Sequence, residues 1–303
     1  MPLDYSALSA VHAVVRLGSF EKAAHALAIT PSAVSQRVKA LEERLGTVLI
    51  LRAQPATATE IGARLCQHFE QVSLLEQGLG DIAVADGLSA GRTTVRIAVN
   101  ADSLATWFID AMADTDGMLF DLVIDDQDHS ADWLRRGEVV AALSGSPLPV
   151  RGCDSLRLGA LRYVATASPA FARRWFPEGV TAEAMAVAPA LTFDRKDALQ
   201  ARWMEAVFGE ALNVPTHWLP SSQGFVEAAI AGIGWGMNPE LLVRRHLEAG
   251  RLIALTDRPF LDVPLFWQTS RIVSAALQPL TAAVRRAATR TLVNETAGGQ
   301  RDG

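Results

Sequence analysis

The ten residues Thr30-Pro31-Ser32-Ala33-Val34-Ser35-Gln36-Arg37-Val38-Lys39 gather hydroxyl, amide and basic side chains into a short span of chain. Hydroxyls and backbone N–H groups hold phosphate oxygens, glutamine can pair with an adenine edge, and arginine or lysine with guanine or phosphate. At helical spacing Ser32, Gln36 and Lys39 share one face with Ser35 and Arg37 beside them, while Val34, Val38, Leu41 and Leu45 share the opposite one. One face packs and the other is free to read a nucleic acid. An amphipathic surface helix has the same pattern, so the neighbouring elements must separate the two readings. For catalysis the chain offers no nucleophile with a base, no metal cluster and no phosphate loop at workable spacing.

The elements that would position those residues are well marked. Apolar Leu8, Val11, Val14 and Val15 recur at helical spacing between Asp4 and Leu17, with Gly18 where a capping glycine belongs. Ser19 can cap a second short helix, Phe20 to Leu27, whose stripe is Phe20, Ala23, Ala24 and Leu27. Thr30 is a good N-cap for the third helix, Pro31 suits its first position and Gly46 ends it. Two short helices before a polar-faced third are the arrangement of a helix-turn-helix.

The 303 residues carry a net charge of -5, with 50% hydrophobic and 20% charged residues, which suits an ordinary folded protein of two domains. Acidity does not exclude DNA binding, because residues 1–59 hold six basic side chains (Arg16, Lys22, Arg37, Lys39, Arg44, Arg52) against four acids (Asp4, Glu21, Glu42, Glu43). No stretch approaches the roughly 20 apolar residues of a membrane span, and the start has no basic segment leading into an apolar one. A cytoplasmic protein is expected. Cys66 and Cys153 share no metal-ligand spacing with each other or with the histidines, so no metal site, disulfide or cofactor is expected.

The run Gly18-Ser19-Phe20, then Ala23-Ala24, then Thr30 through Glu42 resembles the helix-turn-helix of the LysR-type transcription regulators nearly residue for residue. That resemblance implies a wing after the third helix, which Val48 to Arg52 and Thr57 to Thr59 fit, with Arg52 placed to touch the DNA backbone or minor groove. Many members have Phe-Arg where this chain has Leu51-Arg52. From Thr59 to Ile82 a heptad follows, with Leu65, Val72 and Leu79 at one seam position and Ile61, His68, Leu75 and Ile82 at the other. A long helix lying on its own domain would show the same periodicity. The resemblance favours pairing, since these regulators join through this helix to bring two reading heads to two half-sites. Ala85 to Gly91 reads as a hinge.

Beyond Arg92 short apolar runs alternate with helical segments: 94–99, 119–124, 139–143, 161–165, 190–193, 252–255 and 263–268 read as strands of an α/β sheet. Ligands of such sheets sit beyond strand ends, often at helix N-termini. Asn100-Ala101-Asp102-Ser103 lies at such a place, with Ser103 able to cap the helix carrying Thr106 and Trp107, and Ser221-Ser222 lies similarly before Phe225. The glycines between Gly232 and Gly236 follow a helix, so they read as a tight turn and not as a dinucleotide motif.

In the LysR-type family this region is a two-lobed, periplasmic-binding-protein-like α/β effector domain. Asn100 to Trp107, Leu134 to Val140, and Gly234-Trp235-Gly236-Met237 with Pro239 look closest to the branch that controls lysine and arginine export. The chemistry is compatible with a basic amino acid. Its carboxylate would find donors at Ser103 or the Ser221-Ser222 turn, and its cation a carboxylate among Asp102, Asp125, Asp126 and Asp194. Asn100, Ser144 and Phe193, at or next to predicted strand ends, complete the candidate effector set. Each acid could equally be a solvated loop residue or a helix cap.

The expected organisation is a winged helix-turn-helix over 1–59, a dimerising linker helix and hinge over 60–91, an effector domain over 92–294 and a disordered tail over 295–303. The expected partners are double-stranded DNA, a small-molecule effector, a second copy or a dimer of dimers, and RNA polymerase. Two other readings stay open: a different amino acid or organic anion as effector, or a nucleoid-type DNA binder without ligand control.

Overall fold

The computed structural model describes residues 3–77, 93–126, 130–210 and 212–294. Two compact units divide the chain, Met1–Thr94 and Val95–Gly303. In the first, α1 (Tyr5–Leu17), α2 (Phe20–Ala26) and α3 (Pro31–Leu45) are delimited by the caps that their sequences carry. Asp4, Ser19 and Thr30 each accept a backbone N–H of the first turn, and Gly18 and Gly46 close α1 and α3 in the left-handed conformation. Leu8, Val11 and Val14 of α1, Ala23 and Ala24 of α2, and Val34, Val38 and Leu41 of α3 meet in one buried core. Each fully buried valine or leucine there stabilises the unit by roughly 1.5–3 kcal/mol. Leu45, expected on the packed face, is exposed because α3 outruns the core by one turn.

A two-stranded wing follows, β1 (Ile50–Leu51) antiparallel to β2 (Thr57–Ala58). Glu42 of α3 ties it down by accepting the N–H groups of Leu49 at 2.8 Å and Ile50 at 3.3 Å. Thr59 hydroxyl donates to the Val48 carbonyl and accepts from Gly62 N, so it fastens the wing to α4 (Glu60–Gln77). Helix α4 packs on α1, where His12 meets Glu70 at 2.9 Å. Among the described seam positions Leu65 packs on this core, Val72 is half-buried, and Ile61 and Leu75 are exposed. Leu79, Ile82, the proposed hinge at 85–91 and the tail at 295–303 lie outside the described residues.

The second unit is built on a sheet of order β10-β6-β11-β5-β3-β4, with β9 also paired to β6. Its strands are β3 (Thr93–Val99), β4 (Met118–Ile124), β5 (Ala141–Ser144), β6 (Cys153–Ala167), β9 (Gly236–Pro239), β10 (Ile253–Ala254) and β11 (Phe260–Ser270). A separate parallel pair joins β7 (Ala190–Thr192) to β8 (Thr216–Trp218). The long antiparallel pair β6 and β11 shifts register between Leu265 and Phe266 and runs through two lobes. The first lobe holds β3, β4, β5, α5 (101–113) and α6 (Ser130–Arg135), around Ala98, Leu134, Val139 and Ala142. The second adds α7 (Pro169–Trp175), α8 (Ala182–Val187), α9 (Leu199–Phe208), α10 (Ser222–Ile230) and α11 (Glu240–Glu248), with Leu191, Phe225, Val226 and Val243 in its core. Helix α12 (Gln278–Thr291) packs on α5.

Four features depart from the sequence reading. Strands β6 and β11 are longer than expected, because their added ends carry polar and charged residues such as Asp154, Ser155, Arg157 and Asp262 that interrupt any apolar run. The short β8 and β9 escaped notice, β9 because it is a Gly-Met-Asn-Pro segment of low strand propensity. Helix α5 starts at Ala101, with Asn100 in the cap position, so Ser103 is helical and no cap. A π-helical stretch at Leu104–Phe108 then turns the adjacent Trp107 and Phe108 both into the core.

Candidate functional site

In the first unit Pro31, Ser32, Gln36 and Lys39 lie exposed along α3, and Ser35 and Arg37 are half-buried beside them. Thr30 is exposed too, but its hydroxyl is engaged: it accepts from Ala33 N at 3.2 Å and shares a hydrogen bond with Ser32 Oγ at 2.9 Å. The free N–H groups of the first turn and the positive end of the helix dipole suit a phosphate next to these hydroxyls. Lys39 pairs with Glu43 at 3.5 Å, both side chains being largely exposed, so its ammonium is readily diverted to another anion. Arg52 leaves the wing with its guanidinium 5.5 Å from the Phe20 ring centroid, and α2 thereby orients a charge that stays exposed.

The second unit holds a cleft of about 300 Å³ between its lobes. From the first lobe come Asn100 and Asp102 at the start of α5, and Asp125 and Asp126 after β4; from the second come Tyr163, Phe193, Asp194, Lys196, Asp197 and Ser222. Beyond-strand loops and a helix start thus converge from both lobes, as expected for an open α/β sheet.

Asp102 accepts hydrogen bonds from Tyr163 Oη at 2.8 Å and Ser222 Oγ at 2.6 Å. Burial raises its pKa against the opposing effect of those two hydroxyls, and burial beside Asp102 pushes the Tyr163 phenol well above its usual value. Asp125 accepts from Trp133 Nε1 at 2.9 Å, from Asp126 N at 2.9 Å and from Lys196 Nζ at 3.0 Å. Burial would raise its pKa, but these donors together hold it below the ordinary carboxylate range. Asp194 accepts from the N–H groups of Lys196 and Asp197, and Asp197 from those of Phe193 and Leu199. Burial raises the Asp197 pKa more than these bonds lower it. The carboxylates, hydroxyls and ammonium that line the cleft suit it to bind and orient a small polar molecule.

Of the predicted effector residues, Asn100, Asp102, Asp125, Asp126, Phe193, Asp194 and Ser222 line the cleft. Three do not. Ser103 is wholly buried one residue past Asp102 in α5, Ser144 is buried with its hydroxyl accepting from Ser146 N, and Ser221 caps α10 through Gly224 N. For Asp102 and Ser103 the helix turn decides the outcome, since adjacent helical residues point about 100° apart, whereas Ser221 is an extended cap residue and Ser144 ends a strand. The sequence reading missed Tyr163, hidden in an apolar strand, and Lys196 and Asp197. These last two had a visible signal, a charged run Asp194-Arg195-Lys196-Asp197 directly after a strand.

The helix-turn-helix and the cleft are matched by two family models: the bacterial regulatory helix-turn-helix protein of the lysR family over residues 5–63, and the LysR substrate binding domain over 89–289. The chain belongs to the LysR family of transcription regulators. This LysR-family regulator is 44% identical over 293 residues to the HTH-type transcriptional regulator ArgP of Pseudomonas fluorescens (strain Pf0-1), covering 96% of this chain and 98% of that one. It is 44% identical over 287 residues, 94% of each chain, to the regulator LysG of Mycobacterium tuberculosis (strain H37Rv). Among solved structures, ArgP from M. tuberculosis superposes with a TM-score of 0.77 at 42% identity, covering 97% of this chain and 100% of that one. Full-length LysG from Corynebacterium glutamicum with bound effector Arg gives 0.61 at 38% identity, covering 96% and 99%. The regulator therefore binds DNA through its first unit and is controlled by a small molecule through its second. No helix among its described residues is long and apolar enough to cross a membrane.

Proposed function

We propose that the effector is a basic amino acid, arginine or lysine, and that its binding in the cleft governs transcription of an amino-acid exporter gene. The charge of the cleft carries this reading: Asp102, Asp125, Asp126, Asp194 and Asp197 face a single ammonium, that of Lys196, among the described lining residues. Such an excess disfavours an organic anion and favours a ligand with one cation more than carboxylates. The effector Arg bound by the similar LysG supports the same choice. A regulator without ligand control would have no use for such a cleft.

DNA is read by Thr30, Pro31, Ser32, Ser35, Gln36, Arg37 and Lys39 of α3 and its cap, and by Arg52 of the wing. The organisation is a reading head over 1–59, a linker over 60–91, an effector domain over 92–294 and a tail over 295–303. Two copies pair through α4, and dimers pair again on the promoter, in the cytoplasm and within reach of RNA polymerase. Effector closure of the lobes shifts the relative orientation of the reading heads, which requires different affinity for the two states.

Calorimetric titration of the full chain with arginine, lysine, glutamate and leucine tests the reading. Arginine or lysine should bind selectively, Asp102→Asn should weaken that binding about tenfold or more, and the footprint on promoter DNA should change with the bound ligand. Failure of both basic amino acids to bind, or an unchanged footprint, would overturn the effector assignment.

A further inference from the structure

The two lobes are joined across the cleft by donors of the second lobe on acids of the first. Tyr163 and Ser222 serve Asp102, and Lys196 serves Asp125. Asp125 thus carries three donors, with Trp133 Nε1 on Oδ2 and both Asp126 N and Lys196 Nζ on Oδ1. Trp133 and the backbone N–H are fixed parts of the first lobe; the lysine is the one partner that can leave. Its backbone is set by the Asp194 turn, whose carboxylate accepts Lys196 N at 2.7 Å and Asp197 N at 3.1 Å. The neighbouring Arg195 is turned away onto the Trp218 ring, 5.2 Å from its centroid, so Lys196 alone of this basic pair is delivered to the cleft.

We propose that Lys196 is a tethered competitor of the effector: without ligand its ammonium occupies the cation subsite on Asp125, and the effector must displace it to bind. The inference rests on the basic-amino-acid reading above. Its chemical ground is that Lys196 Nζ is the same group as the side-chain ammonium of free lysine, held at 3.0 Å from an ionised carboxylate in the cleft wall. The lysine side chain is 48% exposed against 18% for Asp125, so the ammonium can swing into solvent without losing a buried environment. Lys196 thus sets a threshold of effector concentration. It also favours ligands that outbid an ammonium, and a guanidinium does so by presenting paired N–H donors to one carboxylate.

The test is a titration of the full chain with arginine, in the unaltered protein, Lys196→Met, Lys196→Arg, Asp125→Asn and Asp125→Asn with Lys196→Met. A half-exposed ion pair contributes little, so removing the competitor in Lys196→Met should tighten arginine binding by about two- to fivefold. Lys196→Arg, which keeps a cation on Asp125, should show no such gain. In the Asp125→Asn background, Lys196→Met should no longer improve binding, since the shared partner is gone. Unfolding midpoints of each variant separate these effects from misfolding. Weaker arginine binding by Lys196→Met would show that the lysine holds the ligand carboxylate, and unchanged binding that the bridge is a bystander; either overturns the proposal while the effector reading stands. If the unaltered chain binds neither arginine nor lysine, the effector reading fails and the competitor with it.

Discussion

Asp102 and Asp125 face the same cleft 23 positions apart in the chain, yet their surroundings push them in opposite directions. Asp102 is raised by burial, with two hydroxyls as its partners; Asp125 meets an ammonium, an indole and a backbone N–H, and is lowered. The difference has a consequence for binding. A cationic ligand favours the ionised Asp102, so wherever that group is partly protonated in the free protein, ligand binding must expel its proton. Affinity for arginine should therefore fall as pH drops from neutrality through the raised pKa of Asp102, whereas Asp125 stays ionised over the same range. Calorimetry at a series of pH values below neutrality, in buffers of different ionisation enthalpy, should register proton release, and Asp102→Asn should remove the greater part of it. Equal affinity and no proton release across that range would show that Asp102 is ionised before the ligand arrives.

At the scale of elements, the first unit depends on one close approach. A Cβ on Gly62 would stand 2.0 Å from the carbonyl oxygen of Leu49, a backbone atom that cannot swing aside. Helix α4 can reach the wing at that point only because Gly62 has no side chain, and the Thr59 hydroxyl then bridges the two elements. Gly62→Ala should force the elements apart and destabilise the unit by about 1–3 kcal/mol, read as a lower urea midpoint for the full chain. A midpoint unchanged within error would mean that the wing yields freely. Because Arg52 leaves from this wing, the same substitution should weaken DNA binding even if the chain stays folded.

On the scale of the whole molecule, the proposed dimer would bring two reading heads to two half-sites. Ile61 is 45% and Leu75 42% exposed on α4, two apolar residues fourteen positions apart and so on one face of the helix. Their exposure in a single chain supports the pairing proposed for this face. Ile61→Asp with Leu75→Asp should convert the protein to a monomer in analytical ultracentrifugation and reduce promoter affinity by an order of magnitude or more, with arginine binding retained. A dimer that survives both charges would place the pairing surface elsewhere.

The sequence alone determined the local elements of the first unit, because caps, proline at the start of a helix and glycine at its end act through neighbouring backbone groups. It also marked the α/β character of the second unit and most of the acids of the cleft, since ends of apolar strands are where such sheets open. Tertiary structure decided the rest. Only packing could bring Tyr163 and Ser222 to Asp102 across 61 and 120 positions, and Lys196 to Asp125 across 71. Only the true start of α5 could turn Asp102 into the cleft and Ser103 into the core. A one-residue shift in a helix rotates a side chain by about 100°, which periodicity cannot resolve in a short segment, and contacts between lobes leave no mark on the spacing along either one.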